Sequence, residues 1–443
     1  MHDQVAAVRG ELDGAARGTT RVLAFARDGR HLLASGPSGS VELWDVAALA
    51  GDVVARTDAP LSGAAFSRDG RVVVAVASDS EARLSSPGGR AAARLQAARG
   101  PLPQAPFNTD GAVTKAAFDR SGARVLTVDH RGARVWDART RRRIAAIPAG
   151  RDPMRDATFG PDGTLVATAT GRTRARPGRP RRGEVALWRV SEGYAVRLFR
   201  HALPVPAMSV AFDRDGTRLV VAHGDRGAEI RDAHTGRVLA PLAPRHRFRI
   251  DPFSYVPFPR AAFAPDGTRV VMVGQDGALR LWTAGGRLLR ETRGSGGELF
   301  NQAAFSPDGE RIAAPSDDTT VHLLDGRTGA DRGTLRGAGD SVSAVAFSRD
   351  GRHVAGAQAN GVVRVWDRGG TELAALRGQA LAVWTVAFGP DGRRILTAGQ
   401  DGTARVIPCA ACGEAGELAR LAARHVGRRL TAAERARFRL PRG

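Results

Sequence analysis

Short apolar runs separated by turn residues recur along most of the chain. In the clearest stretch the apolar runs are Val342–Phe347, His353–Ala357 and Val362–Trp366, and the dipeptides Asp350-Gly351 and Asn360-Gly361 lie between them. Asp-Gly and Asn-Gly favour tight turns because the Asp or Asn side chain bonds nearby backbone N–H groups and Gly accepts a positive φ. The pattern therefore predicts three short antiparallel strands, and Glu372–Leu376 adds a fourth.

Apolar side chains fall on both faces of the first of these strands. Ala344 and Ala346 alternate with Val345 and Phe347, so neither face of the strand is polar. A strand with two apolar faces is typical of a sheet that is covered on both sides. Each group of four strands is therefore expected to pack between two other layers.

The four-strand unit is one copy of an internal repeat. The motif Phe-x-x-Asp-Gly, with Ser121 in place of Asp in one copy, begins at Phe25, Phe66, Phe118, Phe159, Phe212, Phe263, Phe305, Phe347 and Phe388. The basic period is 41 or 42 residues, and three intervals are longer by 10 to 12 residues. Repeats of this length predict an all-β fold: a single closed β-propeller in which each four-stranded blade packs against two neighbours around a ring.

The two ends of the repeat region complement each other. The ninth repeat has a third strand, Thr403–Ile407, but no fourth, whereas Val5–Gly10 near the N-terminus resembles the fourth strand Leu373–Gly378 of the eighth repeat. Pairing the N-terminal segment with the ninth repeat would remove two exposed sheet edges. We therefore expect residues 1–408 to form the propeller, closed by the N-terminal strand, and residues 409–443 to form a separate tail.

A Trp-Asp pair ends the third strand of several repeats. It occurs at Trp44-Asp45, Trp136-Asp137 and Trp366-Asp367, with variants at Leu84-Ser85, Trp188-Arg189, Arg231-Asp232, Trp282-Thr283 and Leu324-Asp325. These residues resemble the WD-repeat family over roughly residues 1–408. The resemblance implies a non-catalytic scaffold or adaptor that binds protein partners. It also leaves the blade number open, because nine repeats are counted here whereas that family most often has seven blades and sometimes eight.

One feature of the family is expected to be missing. A Gly-His pair before the first strand often joins a hydrogen-bonded network with the Trp and the Asp. The matching places here read Gly10-Glu11, Gly337-Ala338 and Gly378-Gln379. We expect the network to be absent and the fold to persist, because apolar burial outweighs any single hydrogen bond of about 1 kcal/mol. The second repeat, with Leu84-Ser85, is expected to deviate most.

The chain is strongly basic. Lys and Arg number 66 against 45 Asp and Glu, a formal net charge of +21, and Lys115 is the only lysine among the cations. Such a charge attracts acidic partners, and it is equally typical of proteins from GC-rich genomes. The composition alone therefore identifies no partner.

Three insertions concentrate on one face of the predicted ring. In a four-stranded blade the loops that join strands one to two and three to four open on a first face, and the remaining loops open on a second face. The insertions Ala97–Ala112, Gly171–Gly183 and Ala243–Pro259 all belong to the second face. Loops on a rigid scaffold often carry binding residues.

Two of these insertions combine cations with aromatic residues. The first carries Arg172, Arg174, Arg176, Arg179, Arg181 and Arg182, and the second carries Arg245, His246, Arg247 and Arg249 beside Phe253, Tyr255 and Phe258. Guanidinium groups pair with carboxylates, and aromatic rings provide stacking surfaces. We predict that these residues, Phe258 excepted, bind an acidic protein partner. The alternative interpretation is that the loops are solvated and the aromatic residues only anchor a long connection.

The sequence contains no local motif for catalysis. Gly-x-Ser-x-Gly, His-Glu-x-x-His, Gly-x-Gly-x-x-Gly and EF-hand patterns are absent, so no enzyme activity and no cofactor are predicted. A hydrolytic or metal-dependent propeller with a channel site assembled from distant residues stays an alternative, as does a nucleic-acid or polyanion binder that uses the Arg-rich loop. No helix-turn-helix, zinc-finger or RNA-binding pattern supports the last class.

The polar residues that recur in the repeats have a structural interpretation. Turn aspartates such as Asp28, Asp308 and Asp391 are expected to accept hydrogen bonds rather than to act as acids, and the tryptophans are expected to pack between blades. Five histidines in or beside strands are expected to be packed or surface residues: His31, His130, His223, His322 and His353.

The tail begins with Cys409-Ala410-Ala411-Cys412. The spacing is half that of a zinc site, and although His425 follows, a second histidine does not, so no metal is predicted. Two reduced thiols are expected, with a short disulfide as the alternative. Helical spacing over Glu414–Arg429 and a capping pattern at Thr431–Glu434 predict two short helices.

This ending resembles the tails of bacterial WD-repeat regions attached to STAND-type NTPases or serine/threonine kinases. The sequence contains neither an NTPase nor a kinase domain pattern, because its only lysine, Lys115, lies outside any phosphate-binding loop. The resemblance implies a bacterial sensor or adaptor that works with such a component. The sequence contains no apolar run of signal-peptide or membrane-spanning length, so a monomeric cytoplasmic protein is expected.

Overall fold

The computed structural model describes a chain built from strands. It describes residues 113–412, with gaps at 141, 173–181, 224–226, 245–259, 275, 295–298, 338, 378, 380, 402 and 410–411, and shorter ranges before them at 21–25, 31–35, 41–45, 52–56, 61–68, 73–77, 81–85 and 94–96. Thirty-five strands are present, and these ranges contain no α-helix. The predicted all-β class is therefore confirmed for the described residues.

The first strands lie before the main repeat array. They are β1 (Arg21–Phe25), β2 (His31–Ser35), β3 (Val41–Asp45) and β4 (Asp52–Arg56). The first three form a three-stranded sheet of their own, in the order β1-β2-β3.

Blades 1 to 4 correspond to the second to fifth repeats. Blade 1 contains β5 (Leu61–Phe66), β6 (Val73–Ala77), β7 (Glu81–Ser85) and β8 (Arg94–Gln96). Blade 2 contains β9 (Val113–Phe118), β10 (Arg124–Asp129), β11 (Gly132–Asp137) and β12 (Arg143–Pro148). Blade 3 contains β13 (Met154–Phe159), β14 (Leu165–Gly171), β15 (Gly183–Ser191) and β16 (Tyr194–Leu203). Blade 4 contains β17 (Ala207–Phe212), β18 (Arg218–His223), β19 (Ala228–Asp232) and β20 (Val238–Leu242).

Blades 5 to 8 correspond to the sixth to ninth repeats. Blade 5 contains β21 (Arg260–Phe263), β22 (Arg269–Val273), β23 (Leu279–Thr283) and β24 (Leu288–Thr292). Blade 6 contains β25 (Ala304–Phe305), β26 (Arg311–Pro315), β27 (Val321–Asp325) and β28 (Asp331–Leu335). Blade 7 contains β29 (Val342–Phe347), β30 (His353–Gln358), β31 (Val362–Asp367) and β32 (Glu372–Arg377). Blade 8 contains β33 (Val383–Phe388), β34 (Arg394–Gly399), β35 (Thr403–Pro408) and, from the N-terminal side of the chain, β4.

The ring is closed by β4, not by Val5–Gly10. Strand β4 pairs antiparallel with β35, with Ala55 opposite Ala404 and Arg56 opposite Thr403. The sequence assigned this edge of β35 to Val5–Gly10, whereas β4 occupies it. Val5–Gly10 itself lies outside the described residues. The physical reason is that β4 is the fourth strand of the first repeat, so it has the same strand pattern as the fourth strands of the other blades.

The propeller therefore contains eight four-stranded sheets, and the count of nine blades is wrong. The first repeat contributes only its fourth strand to the ring, while its other three strands form the separate sheet. Blade 8 packs directly on blade 1, since Leu396, Ala398 and Ala404 share one apolar cluster with Val73 and Ala75. Blade 1 has all four strands despite Leu84-Ser85, and its β8 is only three residues long.

Each interface between blades is an apolar layer, and four of these layers contain a buried tryptophan. Trp136, Trp188, Trp282 and Trp366 are all buried. The indole Nε1 of Trp136 donates to Thr127 Oγ1 at 2.9 Å, and that of Trp188 donates to Thr168 Oγ1 at 3.1 Å. These four tryptophans thus pack between blades, as predicted, and the Trp44 side chain lies outside the described residues.

Before blade 8, a glutamine makes hydrogen bonds that involve neither a Trp nor an Asp. Gln379, in the place of the family's histidine, is buried, and its Nε2 donates to Thr397 Oγ1 and to the Thr403 carbonyl, each at 3.1 Å. Gln379 therefore ties the connection before blade 8 to two strands of that blade. A glutamine amide supplies the donor that the histidine ring would supply.

Arginines that begin second strands link neighbouring blades. Arg124, Arg218 and Arg269 each donate to the carbonyl of the glycine in the next blade's first turn: Gly163 at 2.8 Å, Gly267 at 2.8 Å and Gly309 at 3.2 Å. The guanidinium carbons of Arg218, Arg269 and Arg394 lie 5.3, 5.9 and 5.6 Å from the ring centroids of Phe263, Phe305 and Phe66. These four arginines therefore have a structural role, because each of them joins two blades through a hydrogen bond, a cation–π contact or both.

The turns of the first face are held by aspartates. Asp308 accepts the Glu310 N–H, and Asp391 accepts the Arg393 N–H, each at 3.0 Å. Asp232 accepts the N–H groups of His234 at 3.0 Å and Thr235 at 2.7 Å. The predicted role of Asp308 and Asp391 as turn acceptors is confirmed, and Asp28 lies outside the described residues.

Acid should weaken the fold through these turns. Hydrogen bonds from Thr217 lower the pKa of Asp215 to about 2, and hydrogen bonds from Thr140 and Thr235 lower the pKa of Asp137 and Asp232. A lowered folded pKa gives stability that is complete above the unfolded value near 3.8 and is lost as the pH falls through the folded value. We expect the urea midpoint to decrease most steeply from about pH 4 toward pH 2. A smaller decrease between about pH 7 and 5 should come from His353, whose pKa is lowered by burial. In the triple variant Asp137→Asn, Asp215→Asn, Asp232→Asn the decrease should be shallower, and an equally steep decrease would contradict this origin.

Cys409 and Cys412 form a disulfide at the end of β35. Both residues are buried and pack with Val383 and Ile395 in the core between blades 7 and 8. The expectation of reduced thiols is wrong, and the alternative of a short disulfide is the observed state. The predicted helices within residues 413–443 lie outside the described residues and stay a prediction. In the described part of the chain, no helix is long and apolar enough to cross a membrane.

Candidate functional site

The Arg-rich insertion leaves blade 3 from a rigid base on the second face. Gly171 and Gly183 are opposite each other at the end of the β14–β15 pair. A Cβ on Gly171 would lie 2.6 Å from Pro206, and one on Gly183 would lie 2.5 Å from the Val205 carbonyl oxygen. Only glycine tolerates this approach, so the connection between blades 3 and 4 fixes the direction in which the insertion emerges.

The first and last arginines of the insertion lie side by side. The Arg172 N–H donates to the Arg182 carbonyl at 3.1 Å. The Arg172 guanidinium pairs with Asp152 at 3.1 Å and donates to the Arg151 carbonyl at 3.4 Å, while the Arg182 side chain is exposed. The other four predicted arginines, Arg174, Arg176, Arg179 and Arg181, lie outside the described residues. Arg172 is thus partly neutralised at the base.

The second predicted segment joins blades 4 and 5 on the same face. Strand β20 ends at Leu242 and β21 begins at Arg260, so the predicted bounds 243–259 agree with the strand ends. The candidate residues of this segment lie outside the described residues: Arg245, His246, Arg247, Arg249, Phe253 and Tyr255. Arg260, the first residue after the segment, is exposed and adds a cation at the same end of its blade.

A belt of polar side chains links the inner strands of the ring. Each lies three residues before the Phe of its repeat and reaches the next blade. Lys115 Nζ lies 2.7 Å from Asp156 Oδ1, and Asp156 Oδ2 accepts the Val210 N–H at 3.1 Å. Gln302 Oε1 accepts the Val345 N–H at 3.1 Å. The only lysine of the chain is therefore part of a structural ion pair between blades 2 and 3.

Trp384 and Leu381 are two exposed apolar residues near the second-face end of blade 8. Leu381 precedes β33 and is 49% exposed, and Trp384, the second residue of that inner strand, is 39% exposed. The prediction that tryptophans pack between blades is wrong for Trp384. A signal was available: Trp384 is the only Trp outside the third-strand position, and its place in other repeats holds Arg155, Met208, Asn301 and Ser343.

Arginines in third strands are neutralised within their blades. Arg280 is 1% exposed, and its guanidinium donates to both carboxylate oxygens of Asp276, at 3.0 and 2.5 Å, and to Glu291 at 3.2 Å. Burial lowers the pKa of Arg280, but the two carboxylates outweigh it and hold the pKa above its usual value. Arg134 pairs in the same way with Asp129 at 2.5 Å.

Histidines in the ring serve packing and local pairing. His322 is buried edge-on against Phe300 with 5.2 Å between ring centroids, and its Nε2 lies 2.6 Å from Asp318. His223 is buried 3.4 Å from Glu229. Burial lowers the pKa of His353. The predicted packing role is confirmed for these three residues.

A cavity of about 450 Å³ opens on the first face between turns of several blades. Its carboxylates come from Asp213, Asp215 and Asp266, which are already bonded to Arg218, Thr217 and Arg269. In the described ranges, no group of three His, Cys, Asp or Glu residues is placed to hold a metal ion. The acids of this cavity hold turns in place, and the pKa of Asp215 and that of Asp266 lie below the usual carboxyl value, which does not suit proton transfer at neutral pH.

Comparisons with known proteins agree with this architecture. The family model described as "WD domain, G-beta repeat" matches residues 286–325, 329–367 and 370–407. The fold is similar to that of Chaetomium thermophilum Sqt1 bound to the N-terminus of ribosomal protein L10, with 20% identity and a TM-score of 0.64, covering 81% of this chain and 100% of that one. No curated protein sequence matches the chain.

Two further solved structures show the same fold. Saccharomyces cerevisiae Sqt1 is 16% identical with a TM-score of 0.63, covering 81% of this chain and 99% of that one. The C-terminal WD40 domain of Sif2 is 17% identical with a TM-score of 0.63, covering 81% and 97%. The chain thus contains WD40 repeats and has the fold of a WD-repeat propeller.

Proposed function

We propose that this protein is a non-catalytic scaffold or adaptor that binds an acidic protein partner on the second face of its propeller. The observation that carries the proposal is that the Arg-rich insertion emerges from a rigid glycine base on the face that also exposes Leu381 and Trp384. A face that carries both cations and an exposed aromatic residue is typical of protein interfaces, in which a few aromatic residues supply most of the affinity.

Three further observations support a binding function. The ring is closed and tied by links between blades, so binding orders little of the scaffold itself. The structurally similar Sqt1 was solved with the N-terminus of a ribosomal protein, and propellers of this fold are therefore able to present a peptide-binding surface. The acids of the first-face cavity already accept hydrogen bonds from residues of their own turns, which disfavours the alternative of a hydrolytic or metal-dependent propeller.

The partner class is a further part of the proposal. The resemblance of residues 409–443 to the tails of bacterial WD-repeat regions suggests a STAND-type NTPase or a kinase component. We extend the proposal to a bacterial protein that acts as a monomer in the cytoplasm. The binding test below does not depend on these points.

Replacing the six arginines of the insertion with serine should abolish most acidic-partner binding. The positions are Arg172, Arg174, Arg176, Arg179, Arg181 and Arg182. We expect binding of a fluorescent polyglutamate probe to weaken at least about tenfold, which corresponds to about 1.4 kcal/mol, with an unchanged melting temperature. A matched control replaces six exposed arginines of the first face and should bind as the wild type does: Arg120, Arg139, Arg214, Arg327, Arg349 and Arg352.

Trp384→Ala is the second arm of the same experiment. Because Trp384 is 39% exposed, the variant should lower the melting temperature by only a few degrees while losing affinity for a protein partner captured by the wild type. Equal binding by the six-serine variant and the wild type would overturn the proposal. If a DNA oligonucleotide binds more tightly than polyglutamate, with affinity falling steeply with salt, the nucleic-acid alternative is correct instead.

A further inference from the structure

The outer edge of blade 3 differs from the other described outer strands. Strand β16 (Tyr194–Leu203) is ten residues long, whereas the other described outer strands are three to six residues long. In the sheet order it is the last strand, so its outer edge pairs with no strand in the described part of the chain. A long outer edge of this kind is a template for pairing with another strand.

Strand β16 lacks the residues that break the pairing edge of some other outer strands, and its charged residues are the cations Arg197 and Arg200. Strand β20 carries Pro241, and β28 carries Asp331 and Gly333, which all discourage pairing. Strand β16 has no proline, glycine or acidic residue. Tyr194 is 58% exposed, Val196 is 48% exposed, and Leu198 is also exposed.

The hairpin geometry identifies the backbone groups that face outward. Ser191 is opposite Tyr194 across a two-residue turn, and Arg189 is opposite Val196. Because bonded and non-bonded pairs alternate in an antiparallel ladder, Tyr194 and Val196 bond inward to β15. The N–H and C=O groups of Ala195 and Arg197 therefore point away from the sheet, where a new strand would bond to them.

The side chains of this edge have two different characters. Tyr194 and Val196 lie on one face of the strand and present apolar surface. Arg197 lies on the other face, where its guanidinium carbon is 5.6 Å from the Trp188 ring centroid and its side chain is exposed. Farther along the strand, the Arg200 side chain lies 2.5 Å from the carboxylate of Glu184. Among the described residues, this is the one ion pair that a side chain of β16 makes.

We propose that β16 is a second binding surface, separate from the second face, that accepts an extended peptide of a partner protein in which apolar side chains alternate with carboxylates. Such a peptide would add a strand to blade 3, placing its apolar residues beside Tyr194 and Val196 and a carboxylate beside Arg197. A second copy of this chain fits less well, because antiparallel pairing about the middle of β16 sets Arg197 of one copy opposite Arg200 of the other, and like charges directly opposite are destabilising.

The test uses the full chain and two synthetic peptides of about eight residues, a typical strand length. One alternates valine with glutamate, and the other alternates valine with lysine. Fluorescence anisotropy should show at least about tenfold tighter binding of the glutamate peptide. Residue-resolved hydrogen exchange should show that this peptide slows exchange of the Ala195 and Arg197 amides.

Variants separate the edge from a general attraction to positive charge. Arg197→Glu should reverse the preference between the two peptides, and Arg197→Lys should keep it. Arg290→Glu, the same change on outer strand β24, should leave binding unchanged, as should the six-serine variant of the insertion. Ala195→Pro removes an outward N–H, so it should abolish binding while the melting temperature stays within a few degrees of the wild type.

Four results would overturn the proposal. The first is equal binding of both peptides, and the second is unchanged binding by Ala195→Pro. The third is slow exchange of the Ala195 and Arg197 amides in the free monomer, which would show that the chain covers its own edge. The fourth is sedimentation of the wild type as a dimer that Ala195→Pro converts to a monomer, which would identify a second copy as the occupant.

Discussion

Arg280→Met is expected to destabilise the protein by about 3 to 5 kcal/mol. The substitution removes the cation that lies between Asp276 and Glu291 and leaves two largely buried carboxylates without it. The methionine side chain fills much of the same space, so the loss comes from the two carboxylates rather than from a cavity. Arg293, which is exposed and lies 3.5 Å from Asp276, compensates only in part. Urea unfolding at pH 7 measures the effect as a lower midpoint.

Two companion variants identify the cause. Arg290→Met, on an exposed position of the neighbouring strand, should change the free energy of unfolding by less than about 0.5 kcal/mol. Adding Asp276→Asn and Glu291→Gln to Arg280→Met should recover part of the loss, because the buried charges are then removed. A loss below about 1 kcal/mol for Arg280→Met, or no recovery in the triple variant, would contradict the assignment.

Replacing Asp52–Arg56 with five glycine and serine residues should destabilise the ring by more than about 4 kcal/mol. These residues form β4, which completes blade 8 by pairing with β35. Without β4 the edge of β35 is open and its outward backbone groups lose their pairing partners. The expected readouts are a lower urea midpoint and faster proteolysis within blade 8.

The matched control replaces Val5–Arg9 with five glycine and serine residues. This segment resembles a fourth strand in sequence, but β35 is already paired with β4, so stability should change by less than about 1 kcal/mol. The opposite ranking of the two variants would show that Val5–Gly10 closes the ring. Equal small effects would show that neither segment carries the closure.

The candidate site was only partly accessible from the sequence. The Arg-rich insertion was found from its composition, and its face followed from its place between the second and third strands of a blade. The exposure of Trp384 does not follow from the repeat, because the repeat places the other tryptophans at packing positions in third strands, whereas Trp384 lies in an inner strand. The free edge of β16 was also missed, because the sequence of an outer strand does not say whether another element covers it.

The interpretation of the arginines changed most between sequence and structure. A net charge of +21 suggests one basic surface, yet Arg269 and Arg280 are buried and Arg218 and Arg394 contact aromatic rings of the next blade. Arg218, Arg269 and Arg394 occupy the same position in their repeats, so a comparison of the repeats is enough to show that this position favours arginine. Only the packed ring shows that they bond to neighbouring blades.

The sequence by itself determined the blade. The alternation of apolar runs with Asp-Gly and Asn-Gly turns defines four antiparallel strands per repeat, because turn chemistry and strand pattern act over a few residues. It also determined that the three insertions share a face, since successive strands run in opposite directions. The tertiary structure decided how many repeats enter the ring and which segment closes it. Both depend on competition between similar strands for one edge, β35, about 350 residues away along the chain, and no local pattern records the outcome of that competition.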